Sequence, residues 1–370
     1  MTADLSIERE TLQDWLATGR PVILLDVRPA AERAEWFIPG SLHVDAYDRL
    51  KAGDADALDA VDLPAGTPVV TICAAGRTSL IAAEQLRARG MEARSLEGGM
   101  RAWSLAWNTA EIAVPGSAAT VLQVRRTGKG CLSYLLGADG VAAVIDPALD
   151  PAVYLELARQ RGWRITHVLE THLHADHLSR ACRLAEQAGA TLALPAAHRL
   201  AAPFASLHGG DTIALGTARL TVNETPGHTP ESVTYQLDDA ALFTGDTLFL
   251  AAVGRPDLHA DPEGARLKAH VLYASLQRLL ALPSEMLVLP GHTSAPVAFD
   301  GGPIAATLAE VRRATALLAA DEDTFVTTIL GRIPPTPPNH AQIIALNEGG
   351  AALPADPTEL EAGANRCAIA

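Results

Sequence analysis

Short apolar runs rich in β-branched residues recur along this chain, and what lies between them changes once. Up to about residue 113 they alternate with helical stretches: "PVILLDV" (21–27), "PVVTIC" (68–73), the helical "RTSLIAAEQLRARG" (77–90) and "ARSLEGG" (93–99). This alternation predicts an α/β domain over 1–113, a parallel sheet flanked by helices. Pro115 and Gly116 in "AVPGSAAT" (113–120) then break both periodicities. Beyond them come "TVLQVRR", "CLSYLLG", "VAAVIDP", "RITHVLETH", "ATLALP", "ARLTVNET", "SVTYQL", "ALFTGDTLFL" and "EMLVLPGH". Many strands with few helices predict two packed sheets with helices outside, over 118–345. The prolines of "RIPPTPPNHAQ" (332–342) force extended, helix-free backbone. Residues 346–370 read as a C-terminal tail, the prolines before it forming either a strap across the body or a linker.

Composition narrows the function classes. At 370 residues, two domains are expected, and a 48% apolar fraction is ample for their cores. The formal net charge of −14 argues against a nucleic-acid partner bound through phosphates. The start, "MTADLSIERE", lacks the basic and apolar blocks of a signal peptide, and no apolar run approaches the length of a membrane helix. The expectation is a cytoplasmic protein with no membrane partner. Cys73, Cys131, Cys182 and Cys367 form no CxxC pair, so any that matters should act as a thiol. Cys131 and Cys182 read as packing residues and Cys367 as an exposed tail residue.

Candidate chemistry concentrates in "THLHADH" (171–177). Alternate residues at a strand end point to one side, so His172 and His174 can reach one metal, while the following turn presents Asp176 and His177 to a neighbouring position. Three further candidates each follow a glycine at a strand-to-loop junction: His228 in "TPGHTP", Asp246 in "FTGDT" and His292 in "LPGH". A lone histidine is usually an ordinary structural residue, and His43, His167, His198, His208, His259, His270 and His340 are read so. The ordered set HxHxDH, GH, GD, GH is not.

That ordered pattern resembles the metallo-β-lactamase superfamily from about residue 118 to at least 295, which implies an αββα sandwich with metals at one edge. "KGCLSYLL", "IDPALD", "THLHADHLS", "FTGDTLFL" and "VGRPDL" are together similar to its persulfide dioxygenase (sulfur dioxygenase) branch. That resemblance implies one Fe(II) per chain on His172, His228 and Asp246, leaving a face open for O2 and sulfur. His174, Asp176, His177 and His292 would then orient rings and carry protons. The same residues also suit a glyoxalase II-like thioester hydrolase. There His172, His174 and His228 would hold one zinc, Asp176, His177 and His292 a second, and Asp246 would bridge. Ligand identity alone leaves both open, and zinc can displace iron at such donors.

Cys73 opens "CAAGRTS" (73–79) between a strand and a helix, where backbone N–H groups and the helix N-terminus favour a thiolate. With "LLDVRPAAE", "FIPGS" and "LEGGMRAW", this loop resembles a rhodanese sulfurtransferase domain, with Arg77 as its candidate anion-binding residue. The two resemblances together imply oxidation of glutathione persulfide by O2 to sulfite and thiol, coupled to sulfur transfer through a Cys73 persulfide with thiosulfate or sulfite as partner. Arg255 is the candidate for binding a substrate carboxylate. A homodimer is compatible with this reading.

Overall fold

The computed structural model describes residues 5–337, 339–350 and 353–370. The first four residues of the leader-free start expected from sequence, Pro338 of the proline-rich stretch and residues 351–352 of the tail lie outside them. The N-terminal sheet is five-stranded and wholly parallel, in the order Ser6–Ile7, Ala93–Leu96, Val69–Ile72, Ile23–Asp26, Leu42–His43. Its two faces carry separate apolar clusters, one around Trp15, Val70, Ile72 and Trp103 and one around Leu25, Val69, Ala82 and Leu86. The expected parallel α/β domain is therefore present.

The second body stacks two mixed sheets. One has seven strands, in the order Ala205–Leu207, Thr191–Pro195, Arg164–Leu169, Val141–Ile145, Cys131–Ala138, Thr120–Arg126, Asn108–Ile112. The other has six: Thr212–Leu215, Ala218–Glu224, Val233–Leu237, Ala241–Gly245, Leu287–Pro290, Ala306–Thr307. Period-two side-chain alternation explains the layering. Val121, Tyr134, Leu136, Ala143 and Ile145 face Leu220, Tyr235 and Phe243 of the other sheet. Their neighbours Leu122, Leu135, Ala142 and Val144 point outward onto the helices Pro151–Gln160 and Ala181–Ala188. Across the sandwich, Val288 packs beneath the helices Pro262–Leu280, Leu308–Ala314 and Glu322–Gly331. Helix starts are locally encoded: Asp150 and Asp261 accept backbone N–H groups just ahead of Pro151 and Pro262, and Thr307 with Glu310 forms a capping box.

Three details differ from the sequence reading. A strand at Asn108–Ile112, inside the range 1–113 expected for the first domain, pairs antiparallel with Thr120–Arg126, so the Pro115–Gly116 break is a hairpin turn within the second sheet. A helix starts at His340, inside the stretch expected to be helix-free, once the prolines end. The described tail residues include docked and buried ones. Ala368–Ile369 pairs with Val253–Gly254, and Cys367 is buried.

Glu361 anchors that tail. Its carboxylate is 2.8 Å from Arg126 Nη2 and 2.8 Å from Arg180 Nη1, and it accepts the backbone N–H of Leu178 at 2.6 Å. All three side chains are buried. Burial alone would raise the Glu361 pKa, but Arg126 and Arg180 outweigh it and hold the carboxyl down to about 2. Glu361→Gln leaves two guanidinium groups without their counter-charge and is expected to cost about 3–5 kcal/mol at neutral pH. Because the folded pKa is depressed, this contribution is complete above the ordinary 4.5 and fades as pH falls toward 2. Denaturant titrations of wild type and Glu361→Gln should therefore converge across that interval; a constant gap would show that the charge is not the cause.

Candidate metal centre

Where the two sheets meet at one edge, strand ends and the following loops deliver imidazoles and carboxylates into one buried space. The "THLHADH" segment leaves the strand Arg164–Leu169 and is clamped at once. Asp146 accepts the Thr171 N–H at 2.7 Å and the Thr171 hydroxyl at 2.9 Å. Behind it, Asn347 donates to the carbonyls of His174 and His177, both at 2.9 Å, and accepts the Ser179 N–H. The glycine before Asp246 has φ 51°, and a Cβ there would lie 2.4 Å from Thr171 Oγ1. Only glycine lets this strand end turn against the histidine segment.

Two donor groups result. His172, His228 and Asp246 form the first, their ligand atoms all within 4.8 Å of one another. His228 Nδ1–H donates to the Arg255 carbonyl at 2.8 Å, and His172 Nδ1–H donates to Thr171 Oγ1 at 2.9 Å. Each tautomer is thereby set with Nε2 free, at 3.7 and 3.8 Å from Asp246 Oδ2. Burial lowers the pKa of both histidines, the charge on His174 adding to the effect at His172, which keeps them in the neutral, ligating form.

The second group comprises Asp176, His177, His292 and, unexpectedly, Cys131. Asp246 joins the two groups, since its other oxygen lies 2.5 Å from His292 Nδ1. Burial opposes charge on His292 and His177, but Asp176 outweighs it and holds both up, His177 to about 10. Burial and Asp176 push the Cys131 thiol up, while His177 and His292 bring it down to about 6. His174 lies between the groups, its ring centre 4.2 Å from those of His172 and His177 and its Nε2 3.2 Å from Asp146. It belongs to neither group.

The donor set fits divalent ions. His172 Nε2, His177 Nε2, His292 Nε2 and Asp246 Oδ2 are buried with no hydrogen-bond partner among the described residues. Leaving such atoms unsatisfied is costly, and metal coordination is the usual remedy. His292 Nε2 stands 2.7 Å from Asp176 Oδ2 without hydrogen-bond alignment, as donors sharing an ion do.

The sequence-predicted residues separate cleanly. His172, His174, Asp176, His177, His228, Asp246 and His292 converge, none more than 4% exposed. Arg255, expected to bind a substrate carboxylate, is bonded within the protein instead. It is fully buried, pairs through two bonds with Asp257 at 2.8 Å, and donates to the carbonyls of Pro334, Pro335 and Arg366. Its role is to tie the proline-rich stretch and the tail beneath the loop that orients His228. Cys131 and the tail residues Glu361, Asn365 and Cys367 escaped the sequence reading. Asn365 Nδ2 reaches Asp176 Oδ2 at 3.4 Å, so the tail closes over the centre. Cys131 lies inside the run "KGCLSYLL", whose resemblance assigned it no donor role, and no short motif surrounds the tail residues.

In the first domain, Cys73 is 2% exposed, and its sulfur accepts the Gly76 N–H at 3.1 Å and the Ser79 hydroxyl at 3.2 Å. A cavity of about 390 Å³ adjoins this loop, lined by Ala74, Ala75, Arg28 and Arg101 and by Ala362 and Gly363 of the tail. Arg77, expected to bind an anion, is exposed at the start of the helix Arg77–Ala88 and does not line that cavity.

A layered sandwich that gathers paired metal donors at one edge, joined to a parallel-sheet domain with a cradled cysteine, defines a two-domain metalloenzyme class. Residues 126–292 match the metallo-beta-lactamase superfamily and residues 8–106 the rhodanese-like domain. The hydroxyacylglutathione hydrolase of Anaeromyxobacter dehalogenans is 38% identical over 204 residues, 52% of this chain and 76% of its own length. The chain belongs to the metallo-beta-lactamase superfamily. The hydroxyacylglutathione hydrolases of Rhodospirillum rubrum and Acidiphilium cryptum are 41% and 42% identical, over 42% and 43% of this chain. The chain spans only 58% and 63% of those two proteins. Among solved structures, a metallo-beta-lactamase from Staphylococcus aureus matches with TM-score 0.58 and 28% identity, covering 64% of this chain and 74% of its own. ETHE1 from Myxococcus xanthus matches with TM-score 0.54 and 29% identity, covering 62% and 97%.

These relatives correct one expectation. Persulfide oxidation coupled to sulfur transfer was the reading from motif resemblance, yet relatives at about 40% identity carry the hydrolase name. The physical reason is plain: both chemistries draw on the same imidazoles and carboxylates, so the motifs could not separate them. A metal site is supported, as is an enzyme. Among the described residues, no helix is long and apolar enough to cross a membrane.

The Arg255 geometry has a measurable consequence. Arg255→Lys cannot supply five donors. It should cost about 2–4 kcal/mol of stability and lower bound metal, with KM for substrate unchanged in the folded fraction. A raised KM with intact stability would return Arg255 to the substrate.

Proposed function

We propose that the second domain hydrolyses a glutathione thioester, R–CO–SG + H2O → R–COOH + GSH, at a pair of divalent ions. The observation that carries this reading is the pairing of two buried donor groups joined through Asp246 and His292. The hydroxyacylglutathione hydrolase name of the relatives supports the substrate class. Imidazole and carboxylate donors suit zinc.

His172, His228 and Asp246 would hold one ion, and Asp176, His177 and His292 the other. Bound there, such ions supply a water with a pKa near 7 and polarise a carbonyl. The protein's own contribution is positioning. Thr171 and the Arg255 carbonyl fix the ring orientations of His172 and His228, while both ring nitrogens of His174, between the groups, are buried without a hydrogen-bond partner among the described residues. Burial keeps bulk water out, which strengthens the electrostatics of the site. A cleft of about 820 Å³, lined by Arg266, His259 and His340, adjoins Leu258, which packs on Leu173 of the histidine segment. Its volume is in the range of small-molecule sites, and the carboxylates of Asp257, Asp261 and Glu263 line it beside Arg266.

For the first domain we infer that Cys73 accepts a sulfane sulfur. With thiosulfate as donor, the donor S–S bond breaks, sulfite leaves with its electron pair, and a new S–S bond forms on Cys73. The Gly76 N–H and Ser79 hydroxyl would stabilise the charged sulfur.

Metal-free protein reloaded with two equivalents of zinc is expected to cleave S-lactoylglutathione, and chelation to abolish that cleavage. His172→Ala should lower kcat/KM by more than about 100-fold, beyond the range of a group that only orients a ligand. Folded, zinc-loaded protein that leaves the thioester intact would overturn the reading. Cys73→Ser should lose sulfite release from thiosulfate while thioester cleavage is unchanged. Parallel loss of both in a folded variant would refute two separate sites.

A further inference from the structure

We infer that Cys131 is a thiolate ligand of the second ion, which gives the two positions different characters. This rests on the reading of a two-ion centre, but not on which substrate that centre cleaves.

Backbone geometry puts the thiol there. Cys131 begins the strand Cys131–Ala138 and is bridged to His292 across a loop junction, with Leu132 N–H donating to the Gly291 carbonyl at 2.8 Å and Thr293 N–H to the Gly130 carbonyl at 2.9 Å. The cysteine and the histidine therefore move as one unit. Cys131 is 1% exposed, and its sulfur lies 3.6 Å from Asp176 Oδ2. Bonds of about 2.3 Å to sulfur and about 2.0 Å to oxygen at a tetrahedral angle put those atoms about 3.5 Å apart. All four donor atoms, from Cys131, Asp176, His177 and His292, lie within 4.8 Å of one another. Two of them, His177 Nε2 and His292 Nε2, are buried without a hydrogen-bond partner.

The consequence is an asymmetric pair. Four protein donors close the second position, as in structural zinc sites, whereas the first has three and keeps a place for water or substrate. A thiolate also biases the second position toward soft ions such as zinc and against magnesium or manganese. On binding, the thiol proton is released and its electron pair forms the sulfur–metal bond.

Cobalt(II) alone tests this without turnover. Titrated into metal-free protein, cobalt should bring a sulfur-to-cobalt charge-transfer band in the near ultraviolet as the four-donor position fills. The band should vanish in Cys131→Ser and persist in Cys367→Ser. Zinc affinity at the second position should fall by more than about 100-fold in Cys131→Ser, beyond the range of a group that only orients a ligand. In wild-type protein carrying two zinc ions, X-ray absorption should find one sulfur per two zinc ions at about 2.3 Å, a result independent of any variant's folding. No sulfur in the zinc shell, or a band that survives in Cys131→Ser, would overturn the assignment. Protein with the sulfur signal but no thioester cleavage keeps this inference and removes the hydrolase reading; cleavage without the signal does the reverse.

Discussion

Charged and polar donors buried between apolar sheets are the constraint on which the rest of this molecule depends. Taking imidazoles and carboxylates out of water is expensive, and the cost is tolerable only if each is held where a partner can reach it. The sandwich meets this by placing every donor at a strand end or in the loop just after it, where backbone direction is fixed by the sheet and side-chain direction by a hydrogen bond. His228 is held by a carbonyl, His172 by a threonine that is itself held by Asp146, and His292 by the strand bearing Cys131. Loss of any one clamp releases a donor into a medium with nothing else to offer it.

The layered fold was legible because its strands are apolar and β-branched, and because burial on both faces leaves near-continuous hydrophobic runs such as "VAAVI" and "CLSYLLGA". The strand Asn108–Ile112 was misassigned since Pro115 and Gly116 punctuate a hairpin as strongly as a domain joint. Short edge strands such as Ala205–Leu207 carry too few residues to show a period. The histidine and aspartate donors were legible because local spacing encodes them. Cys131, Asn347 and Glu361 were not, because their meaning lies in contacts between distant parts of the chain.

Arg255 shows how residue chemistry alone can mislead. A guanidinium in an acidic chain invites a carboxylate, and it has one, but the carboxylate is Asp257 and the remaining donors go to backbone carbonyls. The same fork that would grip a substrate grips the protein. The first domain offers the contrast: the small residues of "CAAGRTS" leave the Cys73 sulfur bonded to Gly76 and Ser79 beside an open cavity, where a reactant has room.

The pairing of Leu178 with Glu361 spans 183 residues, so the loop bearing His177 gains its last backbone partner only when the tail arrives. During synthesis, every strand of the sandwich except the closing Ala368–Ile369 pair can leave the ribosome before that carboxylate exists. Arg126 and Arg180 must wait in the nascent chain without their counter-charge. The metal loop is thus latched by a carboxylate 183 residues further along the chain, and the latch is absent from any nascent chain that has not yet reached residue 361.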